Sequence, residues 1–151
     1  KRYEFGCKVV IATTSDSNWV VSIAAQHGNP YDGATLKPAL KQIKVLTGVQ
    51  PKRVLVDQGF RGAQYHPKSA KVLVACPNQR KASIKQALKR RNAIEPVIGH
   101  SKLDQTLDRN FLKGKLGDCI NALLTGCGFN LRKLYRFFLT QSQSSKRLQP
   151  V

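Results

Sequence analysis

Carboxylates are scarce in this 151-residue chain, so their positions are informative. Against 26 Lys+Arg there are 8 Asp+Glu, and only Glu4 and Glu95 are glutamates. Asp57 follows the apolar run Val54-Leu55-Val56 and opens the loop Gln58-Gly59-Phe60-Arg61-Gly62. In open α/β sheets, ligand sites gather outside the carboxyl ends of the strands. An aspartate at such a point also commonly starts a turn, and position alone leaves both readings open. Glu95 is the only glutamate of the basic segment 81–102, KASIKQALKRRNAIEPVIGHSK. On one continuous helix, Arg91, Glu95, Ile98 and Lys102 would share an arc of about 60°. The bland reading of that arrangement is an i,i+4 ion pair of Arg91 with Glu95 on a solvated face, worth a few tenths of a kcal/mol. Pro96 removes a backbone donor and disfavours helical angles at Glu95, so the helix either kinks or restarts there.

The elements that must position these residues can be read from the hydrophobic pattern. Residues 3–12 alternate, with Tyr3, Phe5, Cys7, Val9 and Ile11 on one face. Residues 18–26 repeat this with Trp19, Val21, Ile23 and Ala25, and the turn formers TTSDS lie between, which predicts a β-hairpin. Asp32 is the expected N-cap of a helix carrying Leu36, Leu40 and Ile43, with Pro38 in its first turns and Gly48 closing it. Val54–Val56 and Val72–Ala75 are short unbroken apolar runs, as in parallel strands covered on both faces. A basic helix over 81–102, a loop or short helical turn over 103–114 and a long apolar helix over 116–139, loosened by Gly126 and Gly128, complete the chain. The last twelve residues are polar and expected to fray. The fold class is therefore α/β with a mixed sheet, a single unit over 1–140 and a polar tail over 141–151.

Composition narrows the function. The length is about one domain's worth, on roughly 100–200 residues per domain, and 41% hydrophobic content supports a packed core. No apolar run is long enough to span a membrane and no signal-peptide core is visible, so a cytoplasmic protein with no membrane partner is expected. A net charge of +18 points to a polyanion, most simply nucleic acid. The absence of methionine, even at position 1, suggests a piece of a longer chain. Cys7, Cys76, Cys119 and Cys127 show no zinc-ligand spacing and lie in or beside apolar stretches, so packing in a reduced compartment is the expected role. His27 and His66 read as loop residues, while His100 shares the Glu95–Lys102 segment and could reach DNA or a water.

Several motifs in order resemble the C-terminal part of bacterial and archaeal insertion-sequence DDE transposases, closest to the insertion-sequence-five group. They are YEFGCKV (3–9), GNPYDG (28–33), VDQGFRG (56–62), the R-x3-E-x6-K spacing of Arg91, Glu95 and Lys102, RNFLKG (109–114) and GDCINA (117–122). The resemblance departs at position 88, leucine where the signature has tyrosine, and at Phe60, where tyrosine is frequent. It implies a ribonuclease H-like mixed sheet with flanking helices. Asp57 would be the second catalytic aspartate and Glu95 the catalytic glutamate, both metal ligands. The first aspartate belongs on a first strand preceding residue 1 and has no counterpart here; Asp16 is a hairpin-turn residue.

The implied chemistry is cleavage and strand transfer of phosphodiesters, in-line displacements assisted by two Mg²⁺ or Mn²⁺ ions. Asp57 and Glu95 should then face one cleft. Arg91 and Lys102, with Lys89, Arg90 and Arg61, would hold phosphates of transposon-end and target DNA. The resemblance further implies a prokaryotic, nucleoid-associated location and homo-oligomers of the full-length protein. The 151 residues by themselves are expected to be inactive. The alternatives are a non-catalytic basic nucleic-acid-binding protein of ribosomal or chromatin-coating type, and a degenerate transposase remnant.

Overall fold

Two strand pairs and four helices make up the computed structural model, which describes residues 6–76 and 82–147. Tyr3 and Phe5, expected on the first strand, and Lys81, expected on the basic helix, lie outside the described residues. Strands β1 (Lys8–Thr13) and β2 (Val20–Gln26) form the antiparallel hairpin. Helix α1 (Asp32–Thr47) follows, then β3 (Arg53–Val56) and β4 (Lys71–Val74), which pair in parallel. Helices α2 (Ala82–Arg91), α3 (Ile94–Leu103) and α4 (Gly114–Arg147) complete the chain.

The α/β class stands, with one antiparallel and one parallel strand pair. The described residues form two separate two-stranded sheets, β1-β2 and β3-β4. What joins them is the apolar face of α1. Leu36, Leu40 and Ile43 pack with Val56 into one buried cluster, against which Ala12 and Val21 of the hairpin and Val54, Val72 and Val74 of the parallel pair also lie. The other face of the hairpin carries the second cluster: Val20 and Ile23 bury with Val97 of α3 and Ala122 of α4. Fully burying an aliphatic side chain contributes about 1.5–3 kcal/mol, so these two clusters are the main source of cohesion.

A β-bulge corrects the expected facing of the second strand. Ala12 pairs with Ser22 and Thr13 with Val20, leaving Val21 as the extra residue. The bulge breaks the period of two. Val20 joins Ile23 on the α4 side, while Val21 turns to α1. The side chain of Asn130 on α4 then holds the Val20 backbone, accepting from its N–H at 3.0 Å and donating to its carbonyl at 2.8 Å.

Two helix boundaries also differ from expectation. The N-cap of α1 is Tyr31 rather than Asp32. Asp32 lies in the first helical turn, where a negative charge suits the helix dipole, and it pairs with Lys8 Nζ at 2.9 Å. At the other end Gly48 closes α1 as expected, in the left-handed conformation (φ 71°) with its N–H on the Lys44 carbonyl. The basic helix of 81–102 is two helices, separated at Asn92-Ala93. Pro96 falls in the first turn of α3, where a missing N–H costs little. Lys102 therefore does not share a helical arc with Arg91.

Helix α4 extends through Arg147, beyond the expected end at 139, and residues 148–151 of the expected polar tail lie outside the described residues. Gly126 does not loosen α4. It lets the helix approach β2, because a Cβ there would meet Ile23 Cγ2 at 2.8 Å. Much of the apolar surface of α4, including Leu116, Leu123, Leu131 and Tyr135, is exposed. For that reason Cys119 and Cys127 are exposed; Cys76, just after β4, is exposed too, and packing does not account for these three thiols.

Candidate active site

Asp57 is placed by the end of β3. Its Oδ1 accepts from the Gln58 N–H at 2.7 Å, starting the short 3-10 turn Gln58–Phe60. This is the turn-starting role open to it from sequence, and it uses only one carboxylate oxygen. The other, Oδ2, lies 3.1 Å from Arg91 Nη2 at the last residue of α2. The same Nη2 lies 3.2 Å from Glu95 Oε1 in the first turn of α3. One guanidinium nitrogen thus gathers both acids, and their oxygens lie no further apart than those two distances laid end to end. Arg91 is mostly buried, its side chain 20% exposed, while Asp57 and Glu95 are 57% and 60% exposed. The helix break does not prevent the meeting: it sets Arg91 on one helix and Glu95 on the next, bridged across the joint.

Gly59 in the loop after Asp57 is fixed by close approach. A Cβ there would lie 2.3 Å from Asp32 Oδ2. Arg61 donates from Nη2 to Gln58 Oε1 at 3.1 Å, and its carbonyl accepts from the Tyr31 hydroxyl at 2.7 Å. The loop is thereby stitched to the start of α1.

The remaining basic residues separate. Lys89 is exposed. Arg90 is turned away from the acids toward the hairpin, donating to the Asp16 carbonyl at 2.9 Å and to Asn18 Oδ1 at 3.0 Å. Lys102 lies with Cys7, Val9, Ile11, Ile98 and Leu107 around a separate cavity. His66 Nε2 lies 2.9 Å from the Phe60 carbonyl oxygen, and His100 Nδ1 lies 2.8 Å from Asp104 Oδ2. Asp104 is also bonded by Arg132. The His100 hydrogen bond, with the Arg132 charge and hydrogen bond behind it, holds the Asp104 carboxyl below its ordinary value.

Two groups of residues went unnoticed in the sequence. Arg132, Lys133 and Arg136 of α4 line a cleft with Asn18, Val97 and His100. Lys133 Nζ sits 5.0 Å from the Trp19 ring centroid. Burial, with the Arg90 charge behind it, lowers the Lys133 ammonium pKa. The spacing of these cations on one helix was the available signal. The second group is Cys7, His27 and Asp118, whose ligand atoms all lie within 4.8 Å of one another. Burial and the Asp118 charge raise the Cys7 thiol above its ordinary value.

The family model for the transposase DDE domain matches residues 1–118, most of the chain and every residue of the Asp57–Arg91–Glu95 site. The chain belongs to the transposase DDE domain family. No curated protein and no solved structure matches it. Membership of this DDE family makes nucleic-acid cleavage and transfer the enzyme class and DNA the partner. Enzymes of the DDE family use divalent metal ions. No helix among the described residues is long and apolar enough to cross a membrane.

Proposed function

We propose that this chain is the C-terminal portion of the catalytic core of an insertion-sequence-five-type DNA transposase, with a ribonuclease H-like arrangement completed outside it. Asp57 and Glu95 are its two metal-binding carboxylates. The observation that supports this reading is the single guanidinium of Arg91 shared between them.

The donor set suits the metal. Both acids offer hard, largely exposed oxygens of the kind Mg²⁺ and Mn²⁺ prefer. The shared contact on Arg91 keeps the Asp57 and Glu95 oxygens close enough to serve one metal centre. When bound, the ions would activate the attacking oxygen at phosphorus and stabilise the leaving one.

The chain's own residues do the rest. Gln58 N–H fixes the Asp57 carboxylate through Oδ1 and leaves Oδ2 for the site. Arg91 offsets part of the repulsion between the two acids, and its planar fork suits a DNA phosphate as well as a carboxylate. Lys89, Lys102 and Arg61 add positive surface for the backbone, a contact that positions DNA without reading sequence.

The family resemblance calls for a third carboxylate. We assign it to a strand that would pair along β1 and β3, whose other edges carry no ladder among the described residues. On this reading the 151 residues alone neither cleave nor join DNA.

Titration with Mn²⁺, followed by the electron paramagnetic resonance of the free ion, tests the assignment. Asp57→Asn and Glu95→Gln should each weaken binding. Equal Mn²⁺ affinity in wild type and both variants would overturn it.

A further inference from the structure

We propose a second metal site, distinct from the two acidic residues on Arg91: Cys7 Sγ, His27 Nε2 and Asp118 Oδ2 form a three-ligand site for Zn²⁺ or a similar borderline transition-metal ion.

The hairpin register brings the first two ligands together. Lys8 pairs with Gln26 as the last rung of the β1-β2 ladder. Cys7 and His27 are the next residues outward on each strand, so they face one another across its open end. Directly opposed residues have Cβ atoms about 4.5–5.5 Å apart. The third ligand comes from the first turns of α4, the helix packed against β2. Gly117 is buried there against Leu112, where a Cβ would lie 2.7 Å from the Leu112 carbonyl carbon. That close approach holds the loop beside α4, and Asn110 Nδ2 donates to Asp118 Oδ1 at 2.7 Å. With Oδ1 occupied, Oδ2 is aimed at His27 Nε2, 3.2 Å away.

The spacing fits a tetrahedral ion. Bond lengths of about 2.0–2.3 Å place ligand atoms roughly 3.3–3.8 Å apart. The His27–Asp118 edge is already that short, and all three atoms lie within 4.8 Å. All three side chains are partly buried, which limits competition from water. The thiolate and imidazole select against Mg²⁺, and three protein ligands leave a fourth position for water. The bound ion would tie the open end of the hairpin to the start of α4.

Zn²⁺ alone is the probe for the 151-residue chain, with Co²⁺ as its spectroscopic substitute. Calorimetry should show one tight Zn²⁺ per chain. Co²⁺ should give the thiolate charge-transfer band and tetrahedral d–d absorption. Cys7→Ser should abolish the charge-transfer band, and His27→Gln and Asp118→Asn should each weaken Zn²⁺ by more than tenfold. Asn110→Ala, which removes only the orienting bond, should cost about tenfold. Cys76→Ser, Asp57→Asn and Glu95→Gln should leave Zn²⁺ affinity unchanged, which separates this site from the acids on Arg91. Circular dichroism of each variant checks that the fold persists. Absence of stoichiometric Zn²⁺ binding overturns the proposal, as does undiminished binding in folded Cys7→Ser and His27→Gln. Displacement of Zn²⁺ by excess Mg²⁺ would overturn it equally.

Discussion

Asp57 and Glu95 meet on one atom, Arg91 Nη2, although one acid ends a strand and the other begins a helix. The Arg91 side chain is mostly buried and the acids are mostly exposed, so solvent screens the attraction. Exposed ion pairs contribute about 0–1 kcal/mol. Arg91→Ala should therefore lower unfolding free energy by no more than about 1 kcal/mol, measured by urea denaturation. The variant should lose DNA affinity while keeping its fold.

A net charge of +18 makes DNA binding salt-dependent. The observed binding constant should fall with log[salt] with a slope of about −0.9 for each phosphate neutralised. Arg91→Ala and Lys102→Ala should weaken binding alike on unrelated sequences and flatten that slope. Electrophoretic shifts over a salt series measure both. A salt-independent shift would count against phosphate contacts as the main interaction.

Gly126 governs the fit of α4 on the hairpin. Gly126→Val should destabilise by about 1–3 kcal/mol, the usual cost of overpacking, since even a Cβ reaches Ile23 Cγ2 at 2.8 Å. Gly99, where an added Cβ meets nothing within 4 Å, is the matched control. Gly99→Ala should be neutral or mildly stabilising, given the helix propensity of alanine. Thermal melts of the pair make the comparison.

Acid should uncouple Asp104. Its carboxyl is held below the ordinary value, first by the His100 hydrogen bond and then by Arg132. A depressed carboxylate contributes stability that is fully present above its unfolded value, near 3.9, and is lost as pH falls through the lower folded value. Unfolding free energies followed below about pH 5 should thus fall less steeply in Asp104→Asn than in wild type. Parallel curves would show that Asp104 does not contribute.

Much of this architecture was legible because local chemistry and tertiary packing agreed. The hairpin, α1 with its glycine cap at Gly48, the two short apolar strands and the loop before α4 all follow from period and turn residues. So do the placement of Asp57 after β3 and of Glu95 near Arg91. The misses have particular causes. The bulge at Val21 adds a residue that alternation cannot show. Helical periodicity continues past Asn92-Ala93, although the backbone stops and restarts. The cysteines were expected to be buried because their neighbours are apolar, yet those neighbours on α4 are themselves exposed. Cys7, His27 and Asp118 are far apart in sequence, and only the hairpin register and the docking of α4 bring them together.

Asp57 follows Val56, a member of the cluster on α1, while Glu95 is two residues from Val97, which packs on the opposite face of the hairpin. The two acids are therefore rooted in different cores and joined only at their tips, on Arg91 Nη2. Trimming Leu40 from the α1 row would touch neither acid, yet it would loosen the footing of one and leave the other's intact. Arg91 is in this sense a clasp between two separately built foundations.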